Sequence, residues 1–378
     1  MASKPKTIVI VSDTIWPYFK GGKEKRIFEV TTRLAAMDYD VHIYTMKWWN
    51  GPKVIETNGV NLHAISRLYK VYKSEGRRSI MAGVLYGLAC LKLITVQFDI
   101  VDVDHMPYLP LFSVWLVCKL RRKKVYATWH EVWSRKYWNE YLGTLGIIAY
   151  FIERLGTLLP DRIIVDSAFT RNRLMERLPK RHGQLMSAYN GLDINEIETV
   201  PPSKHTSDVI YAGRLMPHKN LPMLLKAVKE LRLDFPDLCC VIVGDGPEKS
   251  RLIKQVEKLG VRDNVEFAGF LPEHRQVISR MKSSKMFVLP SEREGFGLVV
   301  VEANACGLPV LTYDHPDNAA KDLIAEGTNG YLFKNYQELA QTMQLVLLQD
   351  NNRQQYTGSA QQYDWQATVD SVVEAYSV

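Results

Sequence analysis

Two glutamates late in the chain, Glu294 and Glu302, are separated by seven residues in the stretch EGFGLVVVEANACGLPVL. Glu302 lies inside an apolar run, where an unpaired buried charge would be costly, so a partner is expected for it. A carboxylate can accept two hydrogen bonds at once, which suits a pair of neighbouring hydroxyl groups. A ribose offers such a pair to Glu302, and Glu294 could accept hydrogen bonds from the hydroxyls of a sugar.

Two cations, Arg214 and Lys219, lie on the loop GRLMPHKN, which follows the apolar run DVIYAG. A helix is expected to begin near Asn220, and two cations beside a helix N-terminus can bind a diphosphate. An arginine and a lysine on a loop more often point into solvent, so this pair alone does not establish a site. A glycine pair, Gly21-Gly22, precedes another predicted helix and could hold an anion through its backbone N–H groups.

Short apolar runs alternate with helix-sized stretches along the chain, and these elements must position the residues above. Strands are predicted at 7–12, 41–46, 98–104, 124–129, 162–167, 208–213, 239–244, 265–269, 285–290 and 309–313. Helices are predicted between them, for example at 23–37, 220–234, 247–259 and 298–306. This alternation is typical of parallel sheets with helices on both faces. Such sheets bind ligands at the carboxyl ends of their strands, where the loops with Arg214 and Glu294 lie.

The length of 378 residues exceeds one ordinary core and indicates two domains. A polar break with two consecutive prolines falls at residues 195–208. We predict a first doubly wound domain over residues 1–200, a second over 201–362, and a helix over 363–378 that could cross back to the first. The five cysteines show no CxxC spacing and fit a reducing compartment. No signal-peptide pattern is found at the N-terminus, so a cytoplasmic location is expected.

The apolar segment at residues 80–98 contains one charged residue, Lys92, and approaches the length of a membrane span. Because it runs directly into the predicted core strand at 98–104, a buried packing helix is the favoured interpretation. The two halves of the chain also differ in charge. Residues 1–200 carry 29 Lys and Arg against 19 Asp and Glu, whereas the remainder carries 19 against 22.

A basic first half indicates an anionic partner, which could be a membrane surface, a phosphorylated substrate or nucleic acid. Its densest clusters are Lys70, Lys73, Arg77 and Arg78, and the run at 121–124. Tyr69, Tyr72, Leu85 and Tyr86 lie near the first cluster and could add apolar contact with a membrane. The alternative is a basic surface that contacts only solvent.

Taken together, these motifs resemble the retaining glycosyltransferases of family 4. The resemblance runs over nearly the whole chain, and its most specific part is the element from Glu294 to Glu302, followed by ANACGLPVL. GRLMPHKN, VIVGDGP, YNGLDIN and VDSAFTRNRL also stand in the family's order. The resemblance implies a GT-B fold, two Rossmann-like domains facing each other across a cleft. It implies transfer of a sugar from a nucleotide-diphosphate sugar to an acceptor, with retention of anomeric configuration.

The resemblance also implies roles for individual residues. Arg214 and Lys219 would hold the diphosphate and stabilise the leaving group, Glu302 would bind the ribose, and Glu294 the sugar. His130, after a first-domain strand, would face the donor sugar. The remaining donor contacts would come from backbone or loop positions, namely Gly21, Gly22, Gly269, Leu271, Phe296, Gly297 and Leu298.

In this family no protein nucleophile, metal or cofactor is expected, and the leaving phosphate is thought to help deprotonate the acceptor. The sequence leaves several points open. The donor base is unassigned, with UDP slightly favoured over GDP on family frequency. The acceptor could be a glycan, a lipid-linked molecule or a small molecule, and a role in cell-envelope glycan synthesis on the cytoplasmic membrane face would fit the basic domain. Nucleic acid is not an expected partner.

Departures from the family pattern and three competing interpretations remain. His105 could stand for a second family histidine, although its neighbours differ, and the charged KEKR run after Gly22 could be adapted to an anionic acceptor. Asp102 and Asp104 form an Asp-x-Asp pair, which holds a divalent metal in glycosyltransferases of another fold. A sugar-nucleotide epimerase shares the GT-B fold, and a non-catalytic nucleotide-sugar sensor would bind the donor without turnover.

Overall fold

A computed structural model describes residues 6–72, 78–178, 182–349 and 353–377. The chain divides into two compact units, the first made of Met1–Gly191 with Trp365–Val378 and the second of Leu192–Asp364. The division falls before the predicted boundary at 200, so the segment with the two prolines belongs to the second unit.

The first unit is built on an eight-stranded sheet. Its strands are β1 (Thr7–Val11), β2 (Asp40–Met46), β3 (Val54–Thr57), β4 (Val60–Ser66), β5 (Ile100–Asp104), β6 (Tyr126–Trp129), β7 (Arg162–Val165) and β8 (Leu185–Ser187). Their order in the sheet is β3-β4-β2-β1-β5-β6-β7-β8. All neighbours are parallel except β3, which pairs with β4 in an antiparallel hairpin.

Helices cover both faces of this sheet, as its apolar strands require. They are α1 (Gly22–Ala36), α2 (Ile80–Cys90), α3 (Tyr108–Arg121), α4 (Arg135–Leu142), α5 (Gly146–Gly156) and α6 (Ala168–Arg177). Strand β1 shows the two-sided burial directly. Val9 and Val11 enter the core beneath α2 and α3, whereas Ile8 and Ile10 enter the core beneath α1.

The second unit has a six-stranded, fully parallel sheet. Its strands are β9 (Ser207–Ala212), β10 (Cys240–Val243), β11 (Val265–Gly269), β12 (Ser284–Leu289), β13 (Val310–Tyr313) and β14 (Gly330–Phe333), in the order β11-β10-β9-β12-β13-β14. Its helices are α7 (Ile194–Thr199), α8 (Leu221–Leu231), α9 (Lys249–Leu259), α10 (His274–Lys282), α11 (Leu298–Ala305), α12 (Tyr336–Leu348) and α13 (Arg353–Ala360). The sheet order places β12 beside β9, which brings together loops that are distant in sequence.

The last helix, α14 (Trp365–Ser377), belongs to the first unit and packs against α1. Trp365, Val369 and Ala375 are almost completely buried. The Tyr376 hydroxyl donates to Asp102 Oδ2 at 2.8 Å, and the Thr368 hydroxyl donates to the Tyr189 carbonyl at 2.6 Å. This helix is therefore an integral part of the first unit.

The apolar segment at 80–98 forms α2 and a 3-10 turn, Leu91–Thr95. Tyr86 and Cys90 are fully buried, whereas Met81 and Leu88 are exposed, so one face of the helix packs on the core and the other does not. Across the described residues, no helix combines the length and the apolar character needed to span a membrane.

Candidate active site

The carboxyl end of β9 holds the first part of the site. From β9 the chain passes Arg214 and enters a 3-10 turn, Pro217–Lys219, which leads into α8. Arg214 is exposed, and its carbonyl accepts a hydrogen bond from the Tyr211 hydroxyl at 3.1 Å. Lys219 Nζ lies 2.6 Å from Glu294 Oε1. The fold therefore brings together two of the predicted donor residues from different βα loops.

Three cations lie around His218, which follows β9 in the same loop. Burial lowers the pKa of His218 to about 2, and Lys219, Arg293 and Arg214 lower it in the same direction. His218 is therefore neutral at pH 7, and the positive charge of the loop comes from the three neighbouring cations. Positive charge concentrated at the end of a parallel strand, beside the start of a helix, is suited to a diphosphate.

Glu294 is fixed by its backbone as well as by Lys219. Its N–H donates to the Asp317 carbonyl at 3.3 Å, and its carbonyl accepts from the Ala319 N–H at 3.1 Å. The loop after β13 therefore holds Glu294 in place. The side chain keeps 12% of its surface exposed, so its carboxylate remains accessible to a ligand.

Glu302 projects from α11, and its partner is a histidine of the neighbouring helix α10. Glu302 Oε1 lies 3.0 Å from His274 Nε2, and the two side chains are 17% and 37% exposed. His274 is thus the partner expected for a carboxylate inside an apolar run. The pair is partly open to solvent, so Glu302 can still accept hydrogen bonds from hydroxyl groups.

The turn into α11 depends on Gly297, whose φ is +96°. A Cβ at this position would also lie 2.8 Å from the Ala320 Cβ, so both the backbone conformation and the space require glycine. Leu298 then begins the helix. The Phe296 side chain is buried and meets Tyr363 edge-on, with ring centroids 5.9 Å apart. The ring of Phe296 is therefore occupied, and its backbone N–H is the group that can bind a ligand.

The predicted base region lies at the end of β11. Gly269 ends the strand with a φ of +73°, and its carbonyl accepts the Gly244 N–H at 2.8 Å. Within 4 Å of a Cβ built on Gly269 there is no other atom among the described residues, so the space there is open. Leu271 packs partly against the core of the second unit. The second unit thus places Gly269 and Leu271 at the carboxyl end of β11, where ligands of such sheets bind.

In the first unit, His130 follows β6 and lies between two carboxylates. Its Nδ1 is 2.7 Å from Asp166 Oδ2, and its Nε2 is 3.5 Å from Asp104 Oδ1. Burial alone would lower the pKa of His130, but the two aspartates outweigh burial and raise the pKa to about 9. His130 is therefore an imidazolium at pH 7. Its Nε2 is buried, and the ion-pair contact of that atom is the one with Asp104.

A pH titration tests this environment. Because the pKa of His130 is raised from 6.5 to about 9, its charge stabilises the fold fully below pH 6.5, and this contribution is lost as the pH rises through 9. We expect Asp166→Asn to lower the pKa of His130 and to flatten the fall in stability between pH 7 and pH 9. NMR titration of the His130 ring proton measures the pKa, and urea unfolding at several pH values measures stability. An unchanged pKa in Asp166→Asn would contradict the assignment.

The glycine loop before α1 is tightly packed. Gly21 has an extended backbone, but a Cβ there would lie 2.4 Å from Glu24 Oε2. Glu24 is buried and accepts a hydrogen bond from the Thr14 hydroxyl at 2.5 Å. Glycine at 21 therefore leaves room for the buried carboxylate, and Gly22 begins α1.

The charged KEKR run was expected to present its cations to an anionic acceptor, but two of these cations have partners inside the first unit. Lys23 lies 3.1 Å from Asp13 and also contacts Asp104. Arg26 is buried and donates to Asn190 Oδ1 at 3.0 Å. These two cations are already committed to internal partners.

Asp104, His105 and His130 place one potential metal ligand each within 4.8 Å of one another. Two features disfavour a cation there. Asp104 already pairs with Lys23, and the Nδ1 of His130 already contacts Asp166. Asp102, the other member of the Asp-x-Asp pair, binds Thr128 and Tyr376 instead. The arrangement is that of a buried ion-pair network.

Several site residues were not identified from the sequence. Arg293 lies near His218, His274 contacts Glu302, and Asp166 contacts His130. Asp166 is the last residue but one of the predicted strand at 162–167, near the carboxyl end that the rule for parallel sheets marks as functional. His274 carried no such signal, because its contact with Glu302 depends on how α10 packs beside α11.

Two family models adjoin along the chain. "Glycosyltransferase Family 4" matches residues 20–196, and "Glycosyl transferases group 1" matches residues 193–363. An uncharacterized glycosyltransferase of Haemophilus influenzae is 26% identical over 343 residues, which cover 89% of this chain and 88% of that protein. The matches thus extend through both units.

Solved structures share the fold over almost the whole chain. Sucrose-phosphate synthase from Thermosynechococcus elongatus superimposes with a TM-score of 0.80 at 19% identity, covering 98% of both chains. Anabaena HepE in complex with UDP gives a TM-score of 0.74 at 18% identity, covering 98% of this chain and 99% of that one. HepE has also been solved with UDP-glucose. With its two Rossmann-like parallel sheets and its family matches, this chain is a glycosyltransferase of GT-B fold and belongs to the family-4 type.

Proposed function

We propose that this glycosyltransferase transfers a sugar from a UDP-sugar, with retention of anomeric configuration and without a metal. The observation that carries the proposal is the contact between Lys219 and Glu294 at 2.6 Å. Arg214 lies on the same loop as Lys219, and Arg293 precedes Glu294 on the loop after β12. One residue can serve the diphosphate and the other the sugar joined to it. Their contact supports the proposal, because it shows that a cation and a carboxylate from two loops lie side by side.

The choice of UDP has separate support. HepE, which shares the fold over nearly its whole length, has been solved with UDP and with UDP-glucose. GDP is the runner-up. The open space at Gly269 and the half-buried Leu271 are the features expected to receive the base. Neither offers a side-chain group that would select a purine over a pyrimidine, so the base must be determined by binding.

Chemistry in this site rests on electrostatic stabilisation. Arg214 and Lys219 would take up the charge that develops on the leaving diphosphate, and Lys219 would exchange its contact with Glu294 for one with phosphate. Glu294 would then be released to accept hydrogen bonds from the sugar hydroxyls. Glu302 would do the same for the ribose, in place of or together with His274.

His130 would face the donor sugar, and its buried Nε2–H would exchange its contact with Asp104 for one with a sugar oxygen. As an imidazolium it donates from both nitrogens, and Asp166 fixes the ring orientation through Nδ1. A proton lost by the acceptor would pass to the leaving phosphate, so no protein group need act as nucleophile. The acceptor would be a glycan, a lipid-linked molecule or a small molecule in the cytoplasm or at its membrane, consistent with cell-envelope glycan synthesis.

Binding and product analysis test the proposal. Calorimetric titration with UDP, GDP and ADP should give the tightest binding for UDP, unchanged by EDTA. With UDP-sugars and a panel of candidate acceptors, proton NMR of the first product should show the donor's anomeric configuration together with free UDP. An inverted product would overturn retention of configuration. Activity that EDTA abolishes and Mn²⁺ restores would overturn metal independence. An isomerised UDP-sugar without free UDP would indicate an epimerase instead of a transferase. Tight binding without turnover on any acceptor would favour a sensor.

A further inference from the structure

Helix α5 carries its acidic residue inside and its apolar residues outside. Glu153 is fully buried and accepts hydrogen bonds from Trp133, Trp138 and Arg177. The outer side of α5 and its flanking turns carries large apolar residues that are each 50–56% exposed, namely Leu145, Ile148, Phe151, Leu155 and Leu158. Their spacing of three or four residues places them on one face of the helix. A surface helix normally shows the opposite arrangement.

The neighbouring helices extend this surface. α3 packs against α5, and α2 packs against α3, above one hydrophobic core. α3 exposes Leu116 and Leu120, and α2 exposes Met81 and Leu88, at fractions between 45% and 69%. We call the exposed side chains at 81, 88, 116, 120, 145, 148, 151, 155 and 158 the apolar face. Exposed apolar side chains on three helices that pack side by side indicate an interaction site.

The charges near the apolar face are almost all positive. In residues 108–160, all of which the structure describes, the exposed basic side chains are Lys119, Arg122, Lys123, Lys124, Arg135, Lys136 and Arg154. Two exposed acidic side chains accompany them, namely Glu140, which lies 3.9 Å from Lys136, and Asp161, just beyond that range. The surroundings of the apolar face are therefore strongly basic.

A basic cavity adjoins the same region. It has a volume of about 510 Å³, and its lining includes four cations, Lys47, Lys53, Arg67 and Lys92, but no carboxylate among the described residues. Lys92 lies on the 3-10 turn between the exposed Leu91 and Ile94. Lys47 and Lys92 donate to backbone carbonyls, which orient the ammonium groups but leave their charge uncompensated. An anionic headgroup would compensate it.

We propose that the apolar face lies on an anionic membrane leaflet, with its leucines and Phe151 in the interface and its basic residues against the headgroups. A peripheral helix layer needs this combination of apolar area and positive charge. A second copy of the chain is a poorer occupant, because a two-fold interface would oppose the basic runs of both copies. The proposal concerns the first unit alone and does not depend on the donor or the stereochemistry proposed above.

The contact surface differs from the one expected from sequence. Tyr86 is fully buried, and its hydroxyl donates to the Tyr44 carbonyl at 2.7 Å, so it cannot contact a membrane. Tyr72 is half-buried and stacks on Phe19, with ring centroids 5.5 Å apart. Lys73 and Arg77 lie outside the described residues. The apolar contact is supplied instead by α5 and its neighbours.

Vesicle sedimentation of the full chain tests the proposal. Wild-type protein should pellet with vesicles that contain phosphatidylglycerol and should remain in the supernatant with pure phosphatidylcholine. Ile148→Ser with Phe151→Ser should reduce the partition coefficient between vesicles and water by about tenfold or more, because less apolar surface is then buried in the membrane interface. Lys119→Glu with Lys123→Glu should reduce it by a similar factor, and high salt should reproduce this loss for wild type.

Matched controls come from the second unit. Leu233→Ser with Leu348→Ser removes two leucines that are 78% and 71% exposed, and Lys254→Glu with Lys258→Glu reverses two exposed charges on α9. Both controls should pellet as wild type does. The proposal is overturned if wild type ignores anionic vesicles or if the variants and controls lose binding equally. It is also overturned if light scattering shows a dimer that Ile148→Ser with Phe151→Ser dissociates.

Discussion

Replacing Lys219 with alanine is expected to lower kcat/KM for the donor by about a hundredfold to a thousandfold, because the leaving diphosphate loses one cation. The loss is compounded by Glu294. Its carboxylate, 12% exposed, would lack the ammonium now 2.6 Å away and would face the phosphates as an uncompensated negative charge. Steady-state kinetics with a UDP-sugar measures the change in rate, and calorimetry with UDP measures the loss of affinity.

A control from the same helix isolates the effect. Lys229 is exposed near the end of α8, at the far end from the site, so Lys229→Ala removes one lysine without touching the loop. Its kcat/KM should equal that of wild type. If Lys219→Ala matches Lys229→Ala in both kinetics and UDP affinity, the diphosphate does not bind at the end of β9.

The largest loss of stability is expected for Glu153→Ala. Glu153 accepts the Trp133 N–H at 3.0 Å and the Trp138 indole N–H at 2.5 Å, and Arg177 lies 2.8 Å away. Removing the carboxylate leaves a largely buried guanidinium and two donors without their acceptor. The free energy of unfolding should fall by about 3–5 kcal/mol, the usual result of deleting one partner of a buried pair.

Urea unfolding monitored by tryptophan fluorescence measures this loss, since Trp133 and Trp138 contact the mutated position. Glu140→Ala, on the exposed surface of α4, is the matched control and should change stability by no more than about 0.5 kcal/mol. Equal midpoints for the two variants would show that the buried network under α5 contributes little.

The ten strands predicted from sequence are all present, because parallel strands buried on both faces are continuous apolar runs. Four further strands were not predicted, namely β3, β4, β8 and β14. The signal for the hairpin of β3 and β4 was available. Asn58 and Gly59 have φ values of +51° and +75°, as expected of an Asn-Gly hairpin turn. The flanking strand β3 has only four residues and is largely exposed, so the apolar pattern alone did not reveal it.

Individual site residues could be predicted, but most of their contacts could not. Lys219 and Glu294 were identified by type and by position after a strand, yet their contact exists because β12 lies next to β9, out of sequence order. Strand order is a property of the packed sheet and leaves no local trace. The same holds for Lys23, whose pairing with Asp104 requires β1 beside β5.

Helix α14 has a consequence for how the protein is made. It supplies buried side chains such as Trp365 and Val369 to the first unit, yet it is translated after the whole of the second. During synthesis, the first unit therefore cannot complete its hydrophobic core until α14 is translated, whereas the second unit can fold before that point. A nascent chain stalled before residue 365 would expose that gap to chaperones and proteases, although the sequence of its sheet is complete.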